Sequence, residues 1–219
     1  MGLKYVRITL GPLPNNVYLL CDTDCGDAVV IDPGFDSQVV LQKASDLGCR
    51  LRQIWLTHAH FDHIAGVAEI ANAFDPPLSI GLHPADQDWY ENQGGASRFG
   101  MSIPQPPSPS IFFKDGQALG LADGAAQAIE VRFAPGHSAG HVMFYCAALK
   151  VLFCGDVIFR GSIGRTDLPG GDMDMLLESI QRAVFSLPDE TRILPGHGPE
   201  STVGYERAHN PFLQELDSL

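Results

Sequence analysis

The stretch THAHFDHIAG, residues 57–66, packs His58, His60, Asp62 and His63 into six consecutive positions. It lies between the apolar, strand-like run LRQIWLTH and the segment HIAGVAEIANAF, whose apolar residues recur at helical spacing. A chain built this way has to end a strand and begin a helix in front of four ligating side chains. In extended backbone, residues i and i+2 point the same way. His58 and His60 therefore converge on one ion, and Asp62 and His63 at the helix start face a second position beside it. Two adjacent metals are the natural reading. A polar loop at a helix N-terminus accounts for Asp62 alone, a carboxylate favoured by the helix dipole.

The rest of the chain supplies the frame. With 219 residues, 45% of them hydrophobic, it suits one globular domain with a sizeable core. YVRITL, NNVYLLCD and DAVVIDPG read as a strand meander closed by Asp, Pro and Gly, and SQVVLQKASDLG then has helical spacing with a terminal glycine. After the cluster come the strand LSIGLH, a short helix over 84–93, and a Gly- and Pro-rich stretch ending in PQPPSPS. Two antiparallel strands in HVMFYCAALKVLFCGDVIF precede a final helix around MDMLLESIQRAVF and a last strand, TRILPGHG. Strands in two blocks, each followed by helices, predict an α/β fold of two packed sheets with helices outside.

Three Gly-bounded turns after strands offer further ligands. RFAPGHSAGH carries His137, LFCGDVIF ends in Asp156, and ILPGHGPE carries His197. Turns of this kind present a side chain from a fixed backbone. Each residue alone reads equally well as a cap or an Asx turn. Together they complete two ligand sets, in which imidazoles suit zinc or iron and a carboxylate can bridge two ions.

HAHFDH, the distant His137, the isolated Asp156 and the late His197 resemble the metallo-β-lactamase superfamily. The wording GDVIFRGSIGRTDLPGGD and PGHGPESTVGYERAHNPFL is similar to its glyoxalase II (hydroxyacylglutathione hydrolase) branch, closest to the short bacterial glyoxalase II-like hydrolases. The resemblance spans the chain and implies an αββα sandwich with metals at one edge. It places His58, His60 and His137 on the first metal and Asp62, His63 and His197 on the second, with Asp156 bridging. The expected cofactors are two divalent ions, zinc first and iron or manganese as alternatives. The expected reaction is thioester hydrolysis by metal-activated water, with Asp62 and Asp156 in catalytic as well as ligating roles. Arg165 matches the position of a basic contact to a glutathione carboxylate. The chain ends 22 residues after His197, since 219 − 197 = 22. The expectation is therefore a single domain without the helical C-terminal glutathione-binding region of full-length relatives, and Gly198 and Pro199 stand where those have a tyrosine.

Charge and cysteines narrow the partners. Fourteen Lys plus Arg against 26 Asp plus Glu give a net charge of −12, a field that disfavours nucleic acid and anionic membranes. Five cysteines without a C-x-x-C pair argue against a disulfide framework, and no leader or long apolar run is visible. These features predict a cytoplasmic protein, a monomer or small homo-oligomer, acting on a small-molecule thioester that could be glutathione-derived. His141 reads as a supporting residue, His83 as a rim residue and His209 as packed or solvent-facing. Trp89, Tyr90, Phe99 and Met101 are candidates for an apolar substrate wall.

Other readings stay open. GRTD also resembles persulfide dioxygenases of the same superfamily, which use one iron on residues matching His58, His137 and Asp156. A true β-lactamase would need an export signal. A non-catalytic metal module would close its ligand shell and leave no room for water.

Overall fold

The protein is described by a computed structural model covering residues 2–122 and 128–214. The strands are β1 Leu3–Leu10, β2 Asn15–Asp22, β3 Asp27–Ile31, β4 Arg50–Trp55, β5 Ser79–Leu82, β6 Ile111–Phe112, β7 Ala118–Leu119, β8 Ile129–Phe133, β9 Val142–Cys146, β10 Val151–Gly155, β11 Ile158–Phe159, β12 Ser162–Ile163, β13 Arg192–Pro195 and β14 Ser201–Thr202. The helices are α1 Gln38–Asp46, α2 Phe61–Ile64, α3 Val67–Asn72, α4 Gln87–Glu91, α5 Met173–Ser179 and α6 Val203–His209.

Two six-stranded mixed sheets result. The first runs β1-β2-β3-β4-β5-β6, antiparallel up to β3 and parallel from β3 to β6. The second runs β14-β13-β10-β9-β8-β7, with only β10 and β13 parallel. A small β11-β12 ribbon follows β10.

Side-chain alternation builds the layers. In β2, Val17, Leu19 and Cys21 face the helix side, in one cluster with Val40, Ala44, Ile64 and Ile70, while Tyr18 and Leu20 face the second sheet. The inter-sheet layer is aromatic: ring centroids lie 5.2 Å apart for Tyr18 and Phe153 and 5.2 Å for Trp55 and Phe144. On the outer face of the second sheet, Leu152, Cys154 and Ile193 pack with Leu176 of α5 and Val203 of α6. Helix, sheet, sheet, helix is the expected αββα order. Among the described residues no helix is long and apolar enough to cross a membrane.

Three elements depart from the sequence reading. HIAGVAEIANAF forms two helices rather than one, broken at Ala65–Gly66. Gly66 passes so close to the 34–37 loop that a Cβ would sit 2.3 Å from the Gly34 carbonyl oxygen. The short helix over 84–93 splits into a 3₁₀ turn, Pro84–Asp86, and α4. The chain also continues past the last predicted strand into β14 and α6, whose Thr202 caps the Tyr205 amide at 3.2 Å.

Two seams fix the sheets against each other beside the ligand turns. The Asn16 amide nitrogen donates to the Gly196 carbonyl at 2.7 Å, its side chain donates to the carbonyls of Pro195 and Gly198 at 3.0 and 2.9 Å, and the Tyr18 hydroxyl donates to Pro195 at 2.8 Å. The second seam centres on Asp86, which is fully buried. Its carboxylate accepts from the Ala59 amide at 3.1 Å, the Gly140 amide at 2.6 Å and the Ser138 hydroxyl at 2.7 Å. It thus ties the HAH turn to the HSAGH turn. Burial pushes the Asp86 carboxyl above the usual carboxylate range, against the pull of those three donors.

Asp86→Ala removes the acceptor and strands two buried backbone amides and a hydroxyl. Each such group costs about 1–3 kcal/mol, so urea unfolding of the variant is expected to show a loss of about 3 kcal/mol or more. A loss under about 1 kcal/mol would mean that the two turns hold their places without it.

Candidate metal centre

All seven predicted ligands meet at one edge of the sandwich. His58 and His60 follow the end of β4, Asp62 and His63 open α2, His137 lies in the turn after β8, Asp156 follows β10, and His197 follows β13. Each stands just beyond a strand end, and all but His137, which follows the antiparallel β8, come after strands with a parallel neighbour. Both sheets contribute.

The donor atoms form two neighbouring groups. In the first, His60 Nδ1 lies 2.8 Å from His137 Nε2, which lies 3.3 Å from His58 Nε2. In the second, His197 Nε2 lies 3.2 Å and His63 Nε2 3.9 Å from Asp62 Oδ2. Asp156 stands between them. Its Oδ2 is 3.7 Å from His137 Nε2 and 3.8 Å from His197 Nε2, and its Oδ1 is 3.4 Å from His63 Nε2. A bridging ligand requires this position.

Hydrogen bonds on the far side of four of the five rings fix which nitrogen faces inward, while the outer Nε2 of His60 is buried without a partner. His137 Nδ1 donates to the Arg165 carbonyl at 2.8 Å, His197 Nδ1 to the Pro14 carbonyl at 2.9 Å, and His63 Nδ1 to Asp32 Oδ2 at 3.0 Å. Thr57 Oγ1 donates to Asp32 Oδ2 at 2.6 Å, so at its 3.0 Å contact with His58 Nδ1 it accepts. Four Nε2 lone pairs are thereby aimed at one small volume. Lone pairs facing one another repel unless a cation or a proton stands between them. His63 Nε2 and Asp156 Oδ1 are buried with no hydrogen-bond partner in the protein. The donor set, three imidazoles in one group and two imidazoles with a carboxylate in the other, fits two divalent ions.

The protonation tendencies follow the same geometry. Burial, aided by the neighbouring imidazoles, holds His58 and His60 well below the usual histidine range, His60 at about 3. Burial lowers His137 as well, with Asp156 pulling the other way. For His63, burial is outweighed by Asp156, Asp62 and Asp32, and it titrates well above its ordinary value. His197 rises against its own burial through Asp62 and Asp156. Asp156 and Asp62 resist burial and stay ionised because of the facing histidines. The second group thus carries the positive charge when no metal does.

A cavity of about 370 Å³ opens over the donors. Its walls are Leu13, Pro14, Phe61, Gly94, Phe99 and Leu168, and Arg165 stands among them. Gly196 keeps the floor open, since a Cβ there would lie 2.3 Å from Asp156 Oδ1. Of the predicted apolar wall, Phe99 lines the cavity. Trp89 packs edge-to-face on His60 with centroids 5.1 Å apart, Tyr90 is buried with its hydroxyl on the Pro107 carbonyl, and Met101 is not part of the lining. His141 stacks on His58 at 4.7 Å and accepts the Asp156 amide at 3.1 Å, which makes it a support. His83 stacks on Phe133, and His209 lies on Tyr205.

Asp32 was legible only as a turn residue, yet it orients His63, Thr57 and through Thr57 also His58. It sits at φ 52°, a left-handed conformation that Asp tolerates, and accepts the Thr57 amide at 2.7 Å. Its signal was an acidic residue closing an apolar strand before Pro-Gly. Asp86 left no such mark.

Comparison with known proteins agrees with this geometry. Residues 10–197 match the family profile of the metallo-β-lactamase superfamily. YqgX of Bacillus subtilis, named as a probable metallo-hydrolase, is 36% identical over 96% of this chain and 98% of its own length. The hydroxyacylglutathione hydrolase GloC of Haemophilus influenzae is 34% identical over 97% of this chain and 98% of its own. Among solved structures, TTHA1623 in a di-iron-bound form is 42% identical with a TM-score of 0.86, covering 95% of this chain and 100% of that one. BLEG-1, described as a B3 metallo-β-lactamase, is 37% identical with a TM-score of 0.88, covering 96% and 100%. With the profile spanning most of its length and its predicted ligands gathered at one sandwich edge, the chain belongs to the metallo-β-lactamase superfamily of metallo-hydrolases.

Proposed function

We propose that the protein is a dinuclear metal-dependent thioester hydrolase of the hydroxyacylglutathione hydrolase type. His58, His60 and His137 hold one ion, Asp62, His63 and His197 hold the other, and Asp156 bridges them. Zinc suits this donor set, and the di-iron form of a relative makes iron the alternative. The metals, when bound, supply water activation at neutral pH and Lewis-acid polarisation of the acyl carbonyl.

The observation that carries the reading is what the cavity lacks. Among the described residues lining it, Arg165 is the one titratable side chain outside the donor cluster. Arginine stays protonated in proteins and is no general acid. Hydrolysis adds water oxygen to the acyl carbon and expels the leaving group with the electron pair of the broken bond. A thiolate departs without protonation, whereas an amine or alkoxide needs a proton delivered to it. The site therefore suits a thioester. The similarity to GloC supports the same choice. Asp62 and Asp156 both line the cavity, where each carboxylate would be within reach of an attacking water as well as of an ion.

Asp156→Asn weakens both ion sites and removes the negative charge between two cations. Thioester kcat/KM is expected to fall by about a hundredfold or more, with the fold intact by circular dichroism. Two bound ions and near wild-type turnover would remove Asp156 from the bridge.

Asp62→Ala strikes the second group and leaves His58, His137 and Asp156 in place. The expected result is loss of about one metal per chain, with a steep fall in thioester turnover. A mono-iron persulfide dioxygenase would instead keep its oxygen uptake on glutathione persulfide. Retained uptake in an electrode assay would replace the hydrolase reading with that one.

A further inference from the structure

We propose that a polar groove beside the metal cavity, carrying Arg98 and Asp88, binds the α-amino-carboxylate head of the γ-glutamyl arm of a glutathione thioester. The proposal takes its substrate class from the thioester reading above and adds where one end of that substrate lies. The groove, of about 340 Å³, shares a wall with the cavity. Along that wall neighbouring residues divide between the two: Gly94, Phe99 and Leu168 line the cavity, and Gly95, Arg98 and Pro169 line the groove. At Gly94 and Gly95 the ridge carries no side chain that would bar a ligand from crossing. The Trp89 indole nitrogen donates to the Pro169 carbonyl at 3.0 Å and ties the two halves of the wall together.

Charge is what distinguishes the groove. Among the described residues every other arginine except Arg160 has a carboxylate within 3.8 Å. Arg160 lies over Tyr205 in a different depression. Arg98 lies over the Trp89 ring, 5.8 Å from its centroid, and its N–H groups meet no acceptor among the described residues. Asp88, exposed in the same groove, makes no ion pair with it. A cation and an anion held apart in one groove complement a ligand that carries both charges on one carbon, whereas a plain carboxylate or amine matches only half of it. In glutathione that head is the far end of the γ-glutamyl arm. Trp89 sets the distance to the reacting centre. Its ring packs against His60 at 5.1 Å and under Arg98 at 5.8 Å, which puts the guanidinium within about 11 Å of the His60 ring. The γ-glutamyl arm is about as long as two extended residues, roughly 7 Å, and the thioester sulfur and carbonyl span the rest.

The test uses the metal-loaded protein and three S-hexyl peptides that are not hydrolysed. They are S-hexylglutathione, its analogue with glutaryl in place of γ-glutamyl, which lacks the ammonium, and its analogue with 4-aminobutyryl there, which lacks the carboxylate. Titration calorimetry of the wild type is expected to show tightest binding of S-hexylglutathione. Arg98→Ala should cost about tenfold in affinity on the two probes that keep the carboxylate and little on the aminobutyryl probe, and Arg98→Lys should recover part of the loss. Asp88→Asn, which leaves the Trp89 contact alone, should cost about fivefold on the two probes that keep the ammonium and little on the glutaryl probe. If Arg98 served only to pack Trp89 against His60, its removal would weaken all three probes alike. That result, equal wild-type affinity for the three, or no measurable binding of S-hexylglutathione would overturn the proposal. Turnover of S-lactoylglutathione by the same proteins separates the two readings: its absence sinks the hydrolase assignment, while the calorimetry still decides the groove.

Discussion

A neutral imidazole has one lone pair to give, and the site depends on which nitrogen carries it. In this chain the choice is made from behind. The Arg165 and Pro14 carbonyls and the Asp32 carboxylate each take an Nδ1 proton, and the spent hydroxyl of Thr57 takes that of His58. Rings held in that tautomer cannot relax by turning over, because the flipped ring would lose a buried hydrogen bond. The inward nitrogens are therefore gathered before any ion arrives, and protons on the second group, or divalent cations in their place, offset the repulsion among them.

The arrangement also divides the electrostatics. Asp32, Asp62 and Asp156 all lie around His63, whereas His58 and His60 are surrounded chiefly by other imidazoles. The second group therefore has more carboxylates around it than the first, whose one carboxylate, Asp156, is shared between the two. Ions bound at two such positions would be held with different preferences, because carboxylate-rich and imidazole-rich shells suit different metals.

The sequence announced the site more fully than the scaffold that holds it. Ligand identities were readable because metal chemistry restricts residue type, and HAHFDH concentrates four ligands within one turn. Strand runs such as NNVYLLCD were readable because burial on both faces demands an unbroken apolar stretch. Helix α6 was missed because VGYERAH has little apolar periodicity. It is held instead by Glu206, whose carboxylate accepts from Gly161 at 2.9 Å, from Asn210 at 2.8 Å and from Ser201. Asp86 and Asp32 escaped for a related reason: their partners are amides and side chains far away in sequence, and no local pattern encodes such a pairing.

The seam along Asn16, Tyr18 and the end of β13 has a thermodynamic side. Donors from the first sheet, His58 to His63, and from the second, His137, Asp156 and His197, lie on opposite banks of it. An ion coordinated from both banks binds only while the sheets are docked, so its binding free energy is added to the docking equilibrium. Apparent stability then rises with the logarithm of free metal concentration once the site begins to fill. The stability of such a sandwich would then follow metal supply: with little free metal, the undocked state would be populated more often and proteolysis would rise with it.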